Sequence, residues 1–313
     1  MRLFKDPKIN FMDSRARGFI FSGVLILASL ISLVLHGGPK FGIDFRGGTF
    51  MELRFVDAQN PEAELNIPID EVRSVFQQQD LHGTEIKYYG STQDISAQID
   101  SDNGLPKEEV QALYTALGEA FPGYQVVERR IETVGPKIGQ ELVYDAVWAI
   151  LFSMGLILVY IMFRFEFRFG VGAVMALFHD VIITLGVFSL LDIEISIPVI
   201  AAVLTIIGYS LNDTIVVFDR IRENMKSFSR KIADFSGMVN RSINETLSRT
   251  VVTSTTTLMV VIILYFFGGE IIRDFALALI CGVIIGTYSS IFVASPILVE
   301  WDARRKGAVA VKK

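Results

Sequence analysis

A chain of 313 residues is long enough for two soluble domains, but 51% of it is apolar and the apolar residues fall in long uncharged runs, which places it among integral membrane proteins. Its net charge of −5 is too mild to mark a nucleic-acid binder. The single cysteine, Cys281, lies inside one of the apolar runs; it excludes a disulfide framework or a thiol-built metal site and reads as a small packing residue.

Residues 1–17 are polar and carry Arg2, Lys5, Lys8, Arg15 and Arg17, and the stretch 18–35 that follows is apolar and uncharged. This run is long for a signal-peptide core and no small-x-small cleavage site of the usual kind follows it, so a retained first span is expected. From residue 36 to about 140 the composition becomes that of a soluble domain. The pattern predicts a strand over 49–55, a helix opened by Pro68 or Asp70 and running to Gln79, and strands near 84–89 and 94–99. A helix begun at Pro106 follows, with Val110, Leu113, Leu117 and Phe121 at helical spacing, and a last strand over 124–133. The order βαββαβ is the ferredoxin-like α+β pattern, and no chemistry follows from it alone.

Five further apolar runs occupy 143–163, 171–191, 197–218, 250–267 and 275–298, each roughly the 17 to 25 residues a bilayer requires. Six spans return both ends of the chain to one side. Basic residues number five in the N-terminal segment, two in 164–170, seven in 219–249 and five in the tail 299–313, while the opposite loops 192–196 and 268–274 hold only Arg273. The bias makes the two ends and the 219–249 loop cytoplasmic and the 36–140 domain extracytoplasmic. The fold class expected is a six-helix all-α membrane bundle with an inserted ferredoxin-like domain.

Within the fourth run stand an amide and a carboxylate, Asn212 and Asp213. An ionised side chain near mid-membrane costs about 2.5 to 3.5 kcal/mol even on the lenient insertion scale, so it is seldom kept without a partner or a task. Ser210, Tyr209, Ile206 and Thr205 share the helical face of Asp213. The fifth span opens with Arg249, followed on its face by Thr253, Thr256 and Thr257, and an arginine at the foot of one helix can reach toward a carboxylate a turn or two up its antiparallel neighbour. Burial disfavours the charged form of a carboxylate and a nearby cation favours it, so moving the cation switches proton affinity. Asp213 therefore reads either as a titrating group or as a polar staple between helices. Arg249 is near enough to the end of its span to snorkel instead.

His179 and Asp180 form another candidate inside the third span, beside the small residues Gly172, Ala176 and Thr184, where a carboxylate can equally serve a tight helix interface. In the sixth span Ala278, Gly282, Gly286, Ser290 and Ala294 make a ridge of small residues suited to close helix packing. Asp219, Arg220, Arg222 and Glu223 read as a solvated extension of the fourth span, and the threonines at 255–257 as back-bonded to their own helix. No membrane Gly-x-Gly-Asp, His-Glu-x-x-His or paired serine and histidine suggests an intramembrane protease, and neither a catalytic residue, a metal site nor a cofactor is expected.

Four segments together resemble one family: Phe41-Gly42-Ile43-Asp44-Phe45-Arg46-Gly47-Gly48-Thr49, Phe163-Arg164-Phe165-Glu166-Phe167-Arg168-Phe169, His179-Asp180, and the stretch from Gly208 to Arg220. They are similar to the signatures of SecF, the protein-export subunit that works with SecD beside the Sec channel. The six-span layout and single large inserted domain match as well, and Phe167 stands where a tryptophan is common in the family.

The resemblance implies an RND-like membrane half completed by six further spans from SecD, in a bacterial inner membrane. It also implies a proton-motive-force-driven role in drawing polypeptide outward once SecA has pushed it through SecYEG, with YajC and YidC as further partners. By motif position, Asp213 matches the family's membrane aspartate and Arg249, in Leu247-Ser248-Arg249-Thr250, its membrane arginine. Asn212 and Asp180 join them as proton-coupling candidates, and Gly42, Gly47 and Gly48 are hinge candidates at the lead-in to the first strand. Two other functions compete: a non-catalytic structural or substrate-binding subunit of the translocase, and an RND-like exporter of small molecules, for which the domain of about 100 residues looks small.

Overall fold

The computed structural model describes residues 7–101, 104–227 and 234–311. Of the basic residues counted above, Arg2, Lys5, Arg230, Lys231, Lys312 and Lys313 lie outside the described residues. The chain divides into two units, one from Met1–Lys40 with Val147–Lys313 and the other Phe41–Ala146.

A 3-10 turn at Met12–Ser14 leads into α1 (Arg15–Leu35), and the second unit then begins with the short helix α2 (Ile43–Arg46). Its sheet elements are β1 (Gly48–Asp57), α3 (Ile69–Gln78), β2 (Glu85–Tyr89), β3 (Ser91–Ile99), α4 (Lys107–Ala120) and β4 (Tyr124–Val134). The strand order is β2-β3-β1-β4 with every neighbouring pair antiparallel. Alternation on β1 puts Met51, Leu53 and Phe55 on one face, and they are fully buried with Val72 and Phe76 of α3 and Leu113 and Leu117 of α4. At about 25 cal/mol per Å² of apolar surface, this one-sided core is what holds the four strands.

β3 starts at Ser91, earlier than the pattern predicts, because its polar first turn is tied in by side chains. Arg54 lies directly opposite Asp94 and donates to both its carboxylate oxygens at 2.6 Å, while Ser91 Oγ donates to Oδ2 at 2.7 Å. Burial pushes the Asp94 carboxyl up, but the hydrogen bonds from Arg54 and Ser91 outweigh it and hold the group below the usual carboxylate range.

Gly47 and Gly48 have φ of +84° and +120°, a region that excludes most side chains. They are also pressed against neighbours: a Cβ on Gly48 would stand 2.6 Å from the Ile99 carbonyl oxygen, and one on Gly47 2.9 Å from Cα of Pro136. Gly42, at φ −72° and ψ −179°, has ordinary extended backbone.

The remaining elements are α5 (Pro136–Arg164), α6 (Phe167–Leu190), α7 (Ile197–Ser227), α8 (Phe235–Phe267) and α9 (Glu270–Ser289), then a π-helical segment (Ser290–Ala294) and α10 (Ser295–Val311). Among the described residues, six helical stretches are long and apolar enough to cross a membrane. In the first unit α6, α7 and α9 form the interior, with Phe169 and Phe218 edge to face at 5.1 Å near one end. By contrast α5 leaves Trp148, Phe152, Leu156 and Phe163 exposed, and α8 leaves Met259 and Phe266 exposed, which lipid or another membrane protein would cover.

Two features depart from the hydrophobic pattern. Helix extends into the charged segment from both sides: α7 runs on to Ser227, and α8 begins at Phe235 where the Asp234 carboxylate accepts from Gly237 N–H at 2.8 Å. At about 1.5 Å per residue the 31 residues of α7 reach roughly 46 Å, beyond a hydrocarbon core of about 30 Å. Arg220 to Glu245 (2.6 Å) and Asn224 to Ser242 (2.9 Å) join the two extensions, and Asn240 and Asn244 accept from Phe11 and Ile9 N–H. The sixth span is interrupted by the π segment, where Ser295 Oγ donates to the Ser290 carbonyl at 2.8 Å.

Candidate functional site

Asp213 sits on the inner face of α7 and is 2% exposed. Its Oδ2 accepts from Ser254 Oγ of α8 at 3.1 Å and from Thr287 Oγ1 of α9 at 3.4 Å. Thr287 has one hydroxyl hydrogen and two nearer acceptors, Ser254 Oγ and the Val283 carbonyl, both at 2.7 Å. Both bonds to Asp213 fall on the same carboxylate oxygen. A carboxylate offers about four lone-pair sites, and the donors recorded here are two neutral hydroxyls, one of them shared with nearer acceptors. Of the nearby hydroxyls, Tyr209 Oη on α7 and Thr250 Oγ1 on α8 are buried without a hydrogen-bond partner among the described residues, an arrangement that costs about 1 to 3 kcal/mol each.

Arg249 is on α8, five residues before Ser254. It makes no direct bond to Asp213 but lies within electrostatic reach of it. The guanidinium lines a cavity of about 1070 Å³ with Arg220, Asn240, Asn244, Glu245 and Thr253. The hydroxyls of Ser254 and Thr287 thus occupy the hydrogen-bonding place that the sequence suggested for the arginine. Asn212, one residue from Asp213 and so about 100° around the helix, is exposed in this chain. It shares that face with Ala201, Thr205 and Gly208. Thr256 and Thr257 bond back to the carbonyls of Val252 and Thr253.

Asp180 is fully buried in α6 and, unlike Asp213, well supplied with donors. Ser210 of α7 donates to Oδ2 at 2.5 Å and Ser289 of α9 at 2.8 Å, while His179 Nδ1 lies 2.8 Å from Oδ1. The small residues of α9 make this possible. Gly282 packs against Ile206 and Gly286 against Ser210, where an added Cβ would stand 2.9 Å from the serine Cβ; Ala278 and Ser290 on the same ridge are fully buried. Ser210 and Asp213 are three residues apart on α7, and Thr287 and Ser289 two apart on α9, so the same two helices serve both carboxylates. Sequence reasoning passed over Ser22, Ser254, Thr287, Tyr288 and Ser289; the available signal was a hydroxyl inside an apolar run, which in a bilayer seeks a partner on another helix.

Known proteins match along the whole chain. The SecD/SecF C-terminal family, described as protein export membrane protein, matches residues 115–304, and the SecD/SecF GG motif matches residues 33–58. Protein translocase subunit SecF of Rhodothermus marinus is 46% identical over 312 residues, covering 97% of this chain and 96% of its own. Protein translocase subunit SecDF of Thermus thermophilus is 43% identical, covering 98% of this chain but 40% of its own length. The crystal structure of SecDF from that organism, described as a translocon-associated membrane protein, superposes with a TM-score of 0.83 at 40% identity, over 95% of this chain and 39% of that one.

Proposed function

The chain belongs to the SecD/SecF family of protein-export membrane proteins, within it to the SecF translocase subunits, and we propose that it couples proton movement to the outward passage of exported polypeptide. Asp213 takes up and releases the proton. Arg249 on the neighbouring helix acts as a counter-cation whose approach and withdrawal changes the carboxyl's proton affinity, with Asn212 and Asp180 in supporting roles. The observation that carries this reading is a carboxylate 2% exposed inside the helix bundle, bonded through Oδ2 to two neutral hydroxyls, with a guanidinium near but not bonded. The membrane potential supplies roughly 2.3 kcal/mol per charge per 100 mV, so a few protons suffice for a large conformational step.

The partner this reading requires is SecD, which the SecDF relative carries in the same chain by name. The face of α7 bearing Ala201, Thr205, Gly208 and Asn212 is small and polar where a lipid-facing helix would be apolar, which suits cover by another protein. With SecD the six spans form an RND-like assembly working beside SecYEG, with YajC and YidC in the same machinery, on translocating polypeptide at a late stage. The basic-residue bias supports a bacterial inner membrane with both ends cytoplasmic and the sheet unit outside. The strand order and two helices packed together on one sheet face support a ferredoxin-like fold for that unit, and Gly42, Gly47 and Gly48 are its hinge candidates. The chain itself acts as a non-enzymatic subunit.

The second reading, a structural subunit with Asp213 as a staple, draws on the Ser254 and Thr287 bonds. Asp213→Asn keeps both acceptor bonds and cannot titrate. In membranes containing the SecD partner, the variant is expected to lose proton-gradient-dependent export while keeping its assembly with SecD. Full export together with normal proton flux would overturn the proposal in favour of the staple.

A further inference from the structure

We propose that His179 and Asp180 form a second proton-holding site, served by a hydroxyl relay through Ser22 and Tyr288. The side chains of His179 and Asp180 are 3% and 1% exposed, and His179 Nδ1 meets Asp180 Oδ1 at 2.8 Å. With Ser210 and Ser289 donating to Oδ2, the carboxylate is held by donors on both oxygens. A buried charge needs a compensating one. Among the described residues of the elements packed on α6, Tyr288 of α9 stacks its ring on His179 with centroids 6.1 Å apart, Tyr209 of α7 adjoins Ser210 and has a buried hydroxyl, and the Asp213 carboxylate of α7 is turned to Ser254 and Thr287. Other charges on these elements pair among themselves, including Arg15 with Glu300, Arg168 with Asp302, Arg220 with Glu223 and Arg273 with Glu270. Among the described residues, the group within hydrogen-bonding distance of Asp180 that can carry a positive charge is His179.

The relay accommodates both forms of the ring. From His179 Nε2 it runs to Ser22 Oγ of α1 at 3.1 Å, on to Tyr288 Oη at 3.1 Å, and to the Gly18 carbonyl oxygen at 2.9 Å. With the ring neutral, Nδ1–H donates to Asp180, Ser22 donates to Nε2 and Tyr288 donates to Ser22. When a proton is added it sits on Nε2, which now donates to Ser22; the Ser22 hydrogen turns to Tyr288 Oη, and the Tyr288 hydrogen turns to the Gly18 carbonyl, whose second lone pair is open. One proton has entered, none has left, and no donor is stranded in either form. Two hydroxyls reverse in the exchange, and the new positive charge sits beside the Asp180 carboxylate.

This site is tied to Asp213 by sequence neighbours. Thr287, Tyr288 and Ser289 are consecutive on α9 and contact Asp213, the relay and Asp180 respectively, immediately before the π segment, a helix irregularity frequent at functional sites. A shift of that turn alters the donors of both carboxylates at once. The role in export rests on the proton-coupling reading above; the chemistry of the pair does not.

The chain has three histidines, so a full-length His36→Gln, His82→Gln protein in lipid nanodiscs, labelled with 15N-histidine, reports His179 alone. As the sample pH is raised, the Nε2 resonance is expected to move from the imidazolium to the neutral position while Nδ1 stays protonated. Ser22→Ala is expected to displace the Nε2 shift of the neutral form, and Asp180→Asn to abolish the imidazolium form. A ring that stays in one form throughout, or a titration indifferent to both substitutions, overturns the proposal. Asp213→Asn is expected to leave the His179 transition present, so failure of the Asp213 reading and failure of this one give different results.

Discussion

Replacing Gly286 by alanine tests the close approach on which both buried carboxylates depend. The new Cβ would lie 2.9 Å from Cβ, 3.2 Å from Cα and 3.2 Å from Oγ of Ser210, whereas non-bonded carbons settle at about 3.5 to 4.0 Å. Helices α7 and α9 would therefore have to part by several tenths of an ångström up to about 1 Å, and overpacking of this kind costs about 1 to 3 kcal/mol. Alanine in a helix gains about 1 kcal/mol over glycine, and Gly155→Ala on α5, where nothing lies within 4 Å, carries the same gain without the collision. The difference between the two variants isolates the packing term. Thermal unfolding of the purified full-length chain in detergent should rank Gly155→Ala at or above the parent and Gly286→Ala about 1 to 3 kcal/mol below Gly155→Ala. Coincident unfolding curves would refute the packing argument, and with it the claim that the small ridge sets the 2.5 Å bond from Ser210 to Asp180.

Two predictions concern the sheet unit. Because Asp94 is held below the usual carboxylate range in the folded chain, its contribution is present above the unfolded value of about 3.9 and is lost as pH falls through the folded value. Proteolytic resistance of residues 41–146 should fall on acidification, and Asp94→Asn should lower it at neutral pH while flattening the acid limb; an unchanged acid limb would contradict the assignment. Gly48→Ala, with φ +120° and the Ile99 carbonyl in the way, should cost about 1 to 3 kcal/mol or more, while Gly118→Ala on α4 should be tolerated, as read by the yield of folded protein.

Much of the architecture is legible before any coordinates, because a bilayer demands long uncharged runs and a half-buried sheet demands alternation such as Met51, Leu53 and Phe55. What escapes is the part decided between helices. The partners of Asp213 come from α8 and α9, and whether Arg249 or the hydroxyls of Ser254 and Thr287 meet it depends on a few ångströms of helix register that no spacing within α7 encodes. His179, Ser22 and Tyr288 meet across three helices for the same reason. The π segment at Ser290–Ala294 adds one residue to a turn without changing the run of small and apolar side chains, so hydropathy passes over it. The start of α8 at Phe235, well before the apolar run at 250, is hidden by its charge, which resembles a solvated loop until Arg220 and Glu245 are seen to pair between α7 and α8.

The central claim is that Asp213 itself gains and loses a proton during work. Infrared difference spectroscopy on the SecD-containing complex in proteoliposomes, taken with and without an imposed proton gradient, reads that event directly. The account predicts a protonated-carboxyl band that shifts in heavy water, responds to the gradient and disappears in Asp213→Asn. A gradient-dependent carboxyl band that persists unchanged in Asp213→Asn would contradict it, as would a complex that drives export with no carboxyl band responding at all.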